Sequence, residues 1–60
     1  MILGEVVFAS GNRILCELLL STDRTVAVRD ENGLIVIATR SQPSGDYTIG
    51  DVALVRFAAA

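Results

Sequence analysis

The sequence predicts an all-β fold, a small five-stranded antiparallel barrel, in one domain that spans residues 1–60. Three observations lead to this prediction. β-Branched and aromatic residues recur in short segments that are bounded by turn signals. No segment has the length and periodicity of an amphipathic helix. A chain of 60 residues is long enough for one domain only.

The first two predicted strands are joined by a tight turn. Ile2–Ser10 is rich in β-branched residues, and Gly11-Asn12 follows as a turn because both residues tolerate positive φ. Arg13–Leu20 is the second strand. Its three consecutive leucines also fit a helix, but its length between two turn signals is typical of a strand.

The central hairpin is the strongest local signal in the chain. Arg24–Asp30 and Leu34–Arg40 form its strands, and Asn32-Gly33 between them is a preferred pair for a two-residue turn. Such a turn directs one face of the hairpin toward the core, with Val26, Val28, Ile35 and Ile37. A three-residue turn that begins at Glu31 shifts the register by one residue, and then Leu34 and Val36 face the core instead.

The rest of the chain closes the predicted barrel. Ser41–Asp51 is a long loop punctuated by Pro43 and Gly45, in which Tyr47–Ile49 forms either a short extended piece or a 3₁₀ turn. Val52–Ala59 is the closing strand. Small barrels of this kind are SH3-like or OB-like. The SH3-like topology is favoured, because an OB fold normally places a helix after its third strand.

Several strands have apolar residues on both faces, although a barrel this small has one interior. Strands of this type occur where both faces are covered. A chain this short is marginally stable alone, and its single cysteine excludes an internal disulfide. We therefore predict self-association, the alternative being that scattered exposed apolar residues are ordinary. The predicted interface residues are Leu15, Leu19, Val36, Val52 and Leu54, with Ile35 and Ile37 replacing Val36 in the shifted register.

The chain shows no pattern for catalysis, a metal or a cofactor. Cys16 has no histidine or lysine in the sequence to act as its base. Strand alternation instead aligns it with Ile14, Leu18 and Leu20 on one face, as a core residue. The acidic residues lie at turns without the spacing of a calcium loop. We predict no catalytic residue, no metal ligand, no cofactor and no enzymatic activity. The enzymatic alternative is a carboxylate-lined site at the axis of an oligomer.

The charge balance argues against nucleic-acid binding. The net charge is −2, and all five basic residues are arginines. Nucleic-acid-binding domains rely on a positive field that this chain lacks. The alternative prediction is a small nucleic-acid-binding barrel in which arginines contact phosphates and an aromatic ring stacks on a base. Its contact set is Arg13, Arg24, Arg29, Arg40 and Tyr47.

The expected function is that of a non-enzymatic structural or protein-interaction module within a larger assembly. Its partner is a further copy of itself or another protein of that assembly, for example a virion or shell. No apolar run approaches the roughly 18 residues of a membrane span, and the first residues lack the basic region of a signal peptide. The expected setting is therefore cytoplasmic or intracellular, or a virion, without a membrane.

Overall fold

A computed structural model describes residues 1–57 of the chain. Within them, six antiparallel strands close into a barrel in which each strand pairs with the next and the last returns to the first. The prediction of a small all-β barrel is confirmed, with one strand more than expected. The strands are β1 (Leu3–Phe8), β2 (Arg13–Ser21), β3 (Thr25–Asp30), β4 (Ile35–Thr39), β5 (Tyr47–Ile49) and β6 (Ala53–Phe57).

The additional strand is β5, which lies inside the predicted long loop. It pairs with β6 over its whole length and with β4 only at Thr39 and Thr48. The closing strand was predicted as Val52–Ala59. It begins one residue later, at Ala53, and the predicted residues 58–59 lie outside the described part of the chain.

The core consists of small side chains at alternate positions along the strands. Since successive side chains in a strand point to opposite faces, one residue in two faces the interior. The largest fully buried side chains are valines, and Cys16 is buried among them as predicted. The buried apolar residues are Val6, Cys16, Val26, Val28, Ala38, Ala53 and Val55.

The barrel closes where β1 meets β6, at a position that only glycine can occupy. Gly4 lies opposite Phe57 in the register of these strands. A Cβ atom on Gly4 would overlap the carbonyl oxygen of Arg56 and would lie 2.7 Å from Cδ1 of Phe57. The ring of Phe57 therefore packs against the backbone of β1, in the space that a side chain at position 4 would need.

The hairpin between β3 and β4 has a three-residue turn, so the predicted two-residue register is wrong and the shifted register is correct. Arg29 lies opposite Ile35, and the backbone N–H of Asp30 donates to the carbonyl of Leu34 at 2.9 Å. Gly33 has a φ of +87°. A type I turn followed by a glycine in the left-handed region is the usual form of a three-residue hairpin loop.

The side chain of Asp30 explains why this turn forms. Its Oδ1 accepts hydrogen bonds from the backbone N–H groups of Asn32 and Leu34, both at 2.9 Å. Aspartate side chains commonly stabilise turns by bonding to backbone two residues ahead. In the resulting register Val36 packs against the core, whereas Ile35 and Leu34 are exposed. The shifted register thus places Val36 inside as expected, but not Leu34.

A second irregularity lies near the end of β2. Leu18 pairs with Val28, but Leu20, two residues later, pairs with Ala27, one residue earlier on β3. The extra residue on β2 is a β-bulge at Leu19, and it reverses the direction of the side chains that follow. Leu20 is therefore exposed, which corrects the prediction that it shares the core face of β2.

Candidate interaction surface

The cross-strand registers arrange four apolar side chains on one part of the outer surface, which we name the β4 face. Leu20, Ala27 and Ile37 form one row across β2, β3 and β4. Ile35 lies on the same side of β4, two residues before Ile37. The row that contains Ile35 continues to Arg29 on β3 and Glu17 on β2. The exposed fractions are 68% for Leu20, 58% for Ile35 and 56% for Ile37.

The two irregularities of the sheet together create the β4 face. The bulge at Leu19 turns Leu20 outward, and the three-residue turn does the same for Ile35 and Ile37. In a regular ladder with a two-residue turn, these three side chains would point to the interior, since a slip of one residue exchanges the two faces of a strand. Their exposure is therefore built into the pairing of the strands.

The edge of β4 toward β5 has no ladder pair at Ile35 and Ile37 among the described residues, and we call this stretch the open edge. Backbone hydrogen bonds join Asp30 to Leu34 and Arg24 to Arg40, both at 2.9 Å. The even-numbered residues of β4 therefore direct their backbone N–H and C=O groups toward β3. The N–H and C=O groups of Ile35 and Ile37 consequently point away from β3. On that side, the ladder between β4 and β5 consists of Thr39 and Thr48 in the part of the chain that the structure describes.

The predicted interface residues lie in several places. Val36 packs against the core, and Leu54 is half-buried beside Val7 on the outer surface. Leu15 is exposed, but Glu5 separates it from Arg56 in its row.

Of the remaining two predicted residues, Val52 is exposed just before β6, away from β4, and Leu19 lies at the bulge beside Leu20. Leu20 was not predicted. The run of three leucines was the available signal, because at least one residue of such a run must point outward in a strand.

Three of the predicted nucleic-acid contacts are brought together at one end of the barrel. The guanidinium of Arg40 lies over the ring of Tyr47, 4.3 Å from its centroid. Nε of Arg40 donates to the carbonyl of Asp23 at 2.6 Å, and the Tyr47 hydroxyl donates to the carbonyl of Thr22 at 3.0 Å. Arg24 donates to the carbonyl of Ser41. These contacts tie the loop between β2 and β3 to the segment that follows β4.

The other two arginines of that set lie on separate rows. Arg13 is on β2, with Nη1 at 3.9 Å from a carboxylate oxygen of Glu5, and both groups are exposed. Arg29 is on β3 between Glu17 and Ile35. The structure therefore brings three of the five residues together and places Arg13 and Arg29 elsewhere on the surface.

The thiol of Cys16 is buried and faces the interior. Removal from water raises the pKa of Cys16, the nearby carboxylates of Asp30 and Glu5 raise it further, and a backbone hydrogen bond from Gly4 opposes them. A protonated thiol is a poor nucleophile. Residues 1–57 contain no group of three or more histidine, cysteine, aspartate or glutamate residues that could hold a metal ion.

We expect Cys16 to be unreactive toward a thiol reagent in the folded protein and to react rapidly once urea unfolds it.

The pKa of the Cys16 thiol is higher in the folded than in the unfolded chain. The stabilisation that comes from burying the protonated thiol is therefore complete at neutral pH. That contribution is lost as the pH rises above about 8, where the unfolded thiol ionises. Urea unfolding at neutral and alkaline pH measures this loss. Cys16→Ala is the control and should lose less stability; equal losses would contradict the expectation.

Fold and surface together define a small closed β-barrel with an apolar outer face beside the stretch of β4 that β5 leaves unpaired. Comparison with protein-family models, with curated proteins and with solved structures finds no match to this chain. Among residues 1–57 there is no helix long and apolar enough to cross a membrane.

Proposed function

We propose that this protein is a non-enzymatic structural or protein-interaction module, a small SH3-like or OB-like barrel that acts within a homomeric assembly. The observation that supports the proposal is the β4 face, on which Leu20, Ile35 and Ile37 each expose more than half of their surface. Contiguous exposed apolar patches on small soluble domains commonly mark the sites where proteins bind one another.

The small core explains why association would benefit this chain. The largest fully buried side chains are three valines, Val6, Val26 and Val28. Covering the exposed part of Leu20, Ile35 and Ile37, which is 56–68% of each residue, would contribute about 1–2 kcal/mol for each. The total of about 3–5 kcal/mol approaches the lower end of the stability of a small domain, about 5–15 kcal/mol. A repeated assembly such as a shell, inside a cell or in a virion, is the setting that such a module suits.

The nucleic-acid alternative has weaker support. Arg24, Arg40 and Tyr47 already hold two segments of the chain together, and binding a phosphate or a base would compete with these contacts. Arg13 and Arg29 lie apart from them, and the net charge of −2 opposes association with a polyanion. The apolar β4 face has no such internal use.

Light scattering over a range of concentrations tests the proposed association. We expect the wild-type mass to rise above 6.4 kDa with concentration, and Ile37→Arg to remain at the monomer mass because a charge cannot be covered by an apolar surface. Val52→Arg is the matched control, since Val52 is 60% exposed but lies away from the β4 face. A wild-type protein that stays monomeric at every concentration would refute the proposal.

A further inference from the structure

We propose that the open edge of β4 pairs with β4 of a second copy, antiparallel, about a two-fold axis that passes through Val36. The inference rests on the proposed function, because it specifies the surface through which the homomeric contact forms. It is carried by three features of the hairpin: its unpaired backbone groups, its symmetry in sequence and its distribution of charge.

The backbone of β4 offers hydrogen-bonding groups in the right places. Ile35 and Ile37 direct their N–H and C=O groups away from β3, as the bonds at Leu34 and Arg40 establish. Pairing with β5 begins only at Thr39 in the described part of the chain. A free edge of this kind is a template for a further strand, and β-strand addition is a common mode of protein recognition.

The segment 34–38 can pair with the same segment of a second copy in the antiparallel direction. With Val36 on the axis, Ile35 lies opposite Ile37 of the second copy, and each such pair can exchange two backbone hydrogen bonds. Leu34 lies opposite Ala38 of the second copy. None of these residues is charged, so no like charges meet. The register also ends before Thr39, which leaves its pairing with Thr48 intact.

The charges at the two ends of the hairpin favour the same arrangement. Glu31 is exposed at the tip of the hairpin, whereas Arg24 and Arg40 lie at its base. An antiparallel pair about Val36 sets the acidic tip of each copy beside the basic end of the other, because residue 31 falls opposite residue 41. A parallel pair would place the acidic tips together. Complementary charges of this kind select partner and register.

The available area indicates a reversible contact. The chain exposes 4201 Å², and a standard interface covers about 800 Å² of each partner, about a fifth of this surface. The edge with Leu34, Ile35 and Ile37 supplies the centre of such an interface, and pairing joins the β4 faces of the two copies side by side. We therefore expect a weak dimer that dissociates on dilution.

Replacing Ile37 with proline is the direct test. Proline removes the N–H that points to the open edge while sparing the bonds to β3, and proline is tolerated on edge strands in this orientation. Ile37→Thr is the matched control, since it removes apolar surface but keeps the N–H. Sedimentation from micromolar to millimolar concentration should show dimers of the wild type, a weakened dimer of Ile37→Thr, and a folded monomer of Ile37→Pro.

Hydrogen exchange on the wild-type protein provides a measurement that does not depend on any variant. The amides of Ile35 and Ile37 should exchange about tenfold more slowly at dimer-forming concentration, whereas the amide of Val36, already bonded to β3, should change little. If the protein associates but these two amides exchange independently of concentration, or Ile37→Pro is folded and associates as the wild type does, the edge pairing is refuted and the proposed function stands. A strictly monomeric wild type refutes both.

Discussion

Gly4→Ala is expected to destabilise the barrel by about 3 kcal/mol, at the upper end of the cost of overpacking a folded structure. The added Cβ would overlap the carbonyl oxygen of Arg56 and approach Cδ1 of Phe57 to 2.7 Å. The ring of Phe57 can move, but the carbonyl belongs to the backbone of β6. Relief therefore requires β1 and β6 to separate at the seam that closes the barrel.

Urea unfolding monitored by circular dichroism measures this effect. Gly45→Ala is the matched control, because a Cβ there meets no atom closer than the carbonyl oxygen of Gln42 at 3.3 Å and Gly45 does not have a positive φ. We expect Gly45→Ala to change the free energy of unfolding by less than about 1 kcal/mol. Equal unfolding midpoints for the two variants would contradict the account of the seam.

Asp30→Ala is expected to lower the free energy of unfolding by about 2 kcal/mol, less than Gly4→Ala. The change leaves the N–H groups of Asn32 and Leu34 without the carboxylate oxygen that accepts them at 2.9 Å. Hydrogen bonds to a charged group contribute about 1.5–3 kcal/mol. Asp30 is also only 9% exposed, so water replaces its oxygen poorly.

Asp30→Asn is the control for the geometry of the turn, since its side-chain oxygen can still accept both bonds. Chemical denaturation should rank the wild type first, Asp30→Asn second and Asp30→Ala third. The amides of Asn32 and Leu34 should exchange faster in Asp30→Ala, because the carboxylate of Asp30 accepts both N–H groups. A stability of Asp30→Ala within about 0.5 kcal/mol of the wild type would show that the turn forms without the carboxylate.

Local patterns were sufficient to predict the fold class and much of the core. Turn residues mark the ends of the strands, and Gly11 and Gly33 adopt the positive φ that their turns require. Val26 and Val28 face the interior because they alternate with more polar neighbours on β3. These signals depend on residues close in sequence, so they can be recognised without knowledge of the tertiary structure.

The short strand β5 could be recognised as a strand only from its pairing with β6. Tyr47–Ile49 alone fitted an extended piece or a 3₁₀ turn, since three residues are too few to show a period. Pairing of Tyr47 with Val55 and of Ile49 with Ala53 decides for a strand. The contacts of the Tyr47 ring and hydroxyl with Arg40 and Thr22 add to this choice.

The sequence alone determined that β4 has more apolar side chains than one interior can hold; only the tertiary structure decided which of them face outward. A positive φ at Gly33 suits a two-residue and a three-residue turn alike. The bonds of Asp30 and the packing of Val36 and Ala38 selected the longer turn, and pairing with β3 produced the bulge in β2. Because a shift of one residue exchanges the faces of a strand, the longer turn exposes Ile35 and Ile37, and the bulge exposes Leu20.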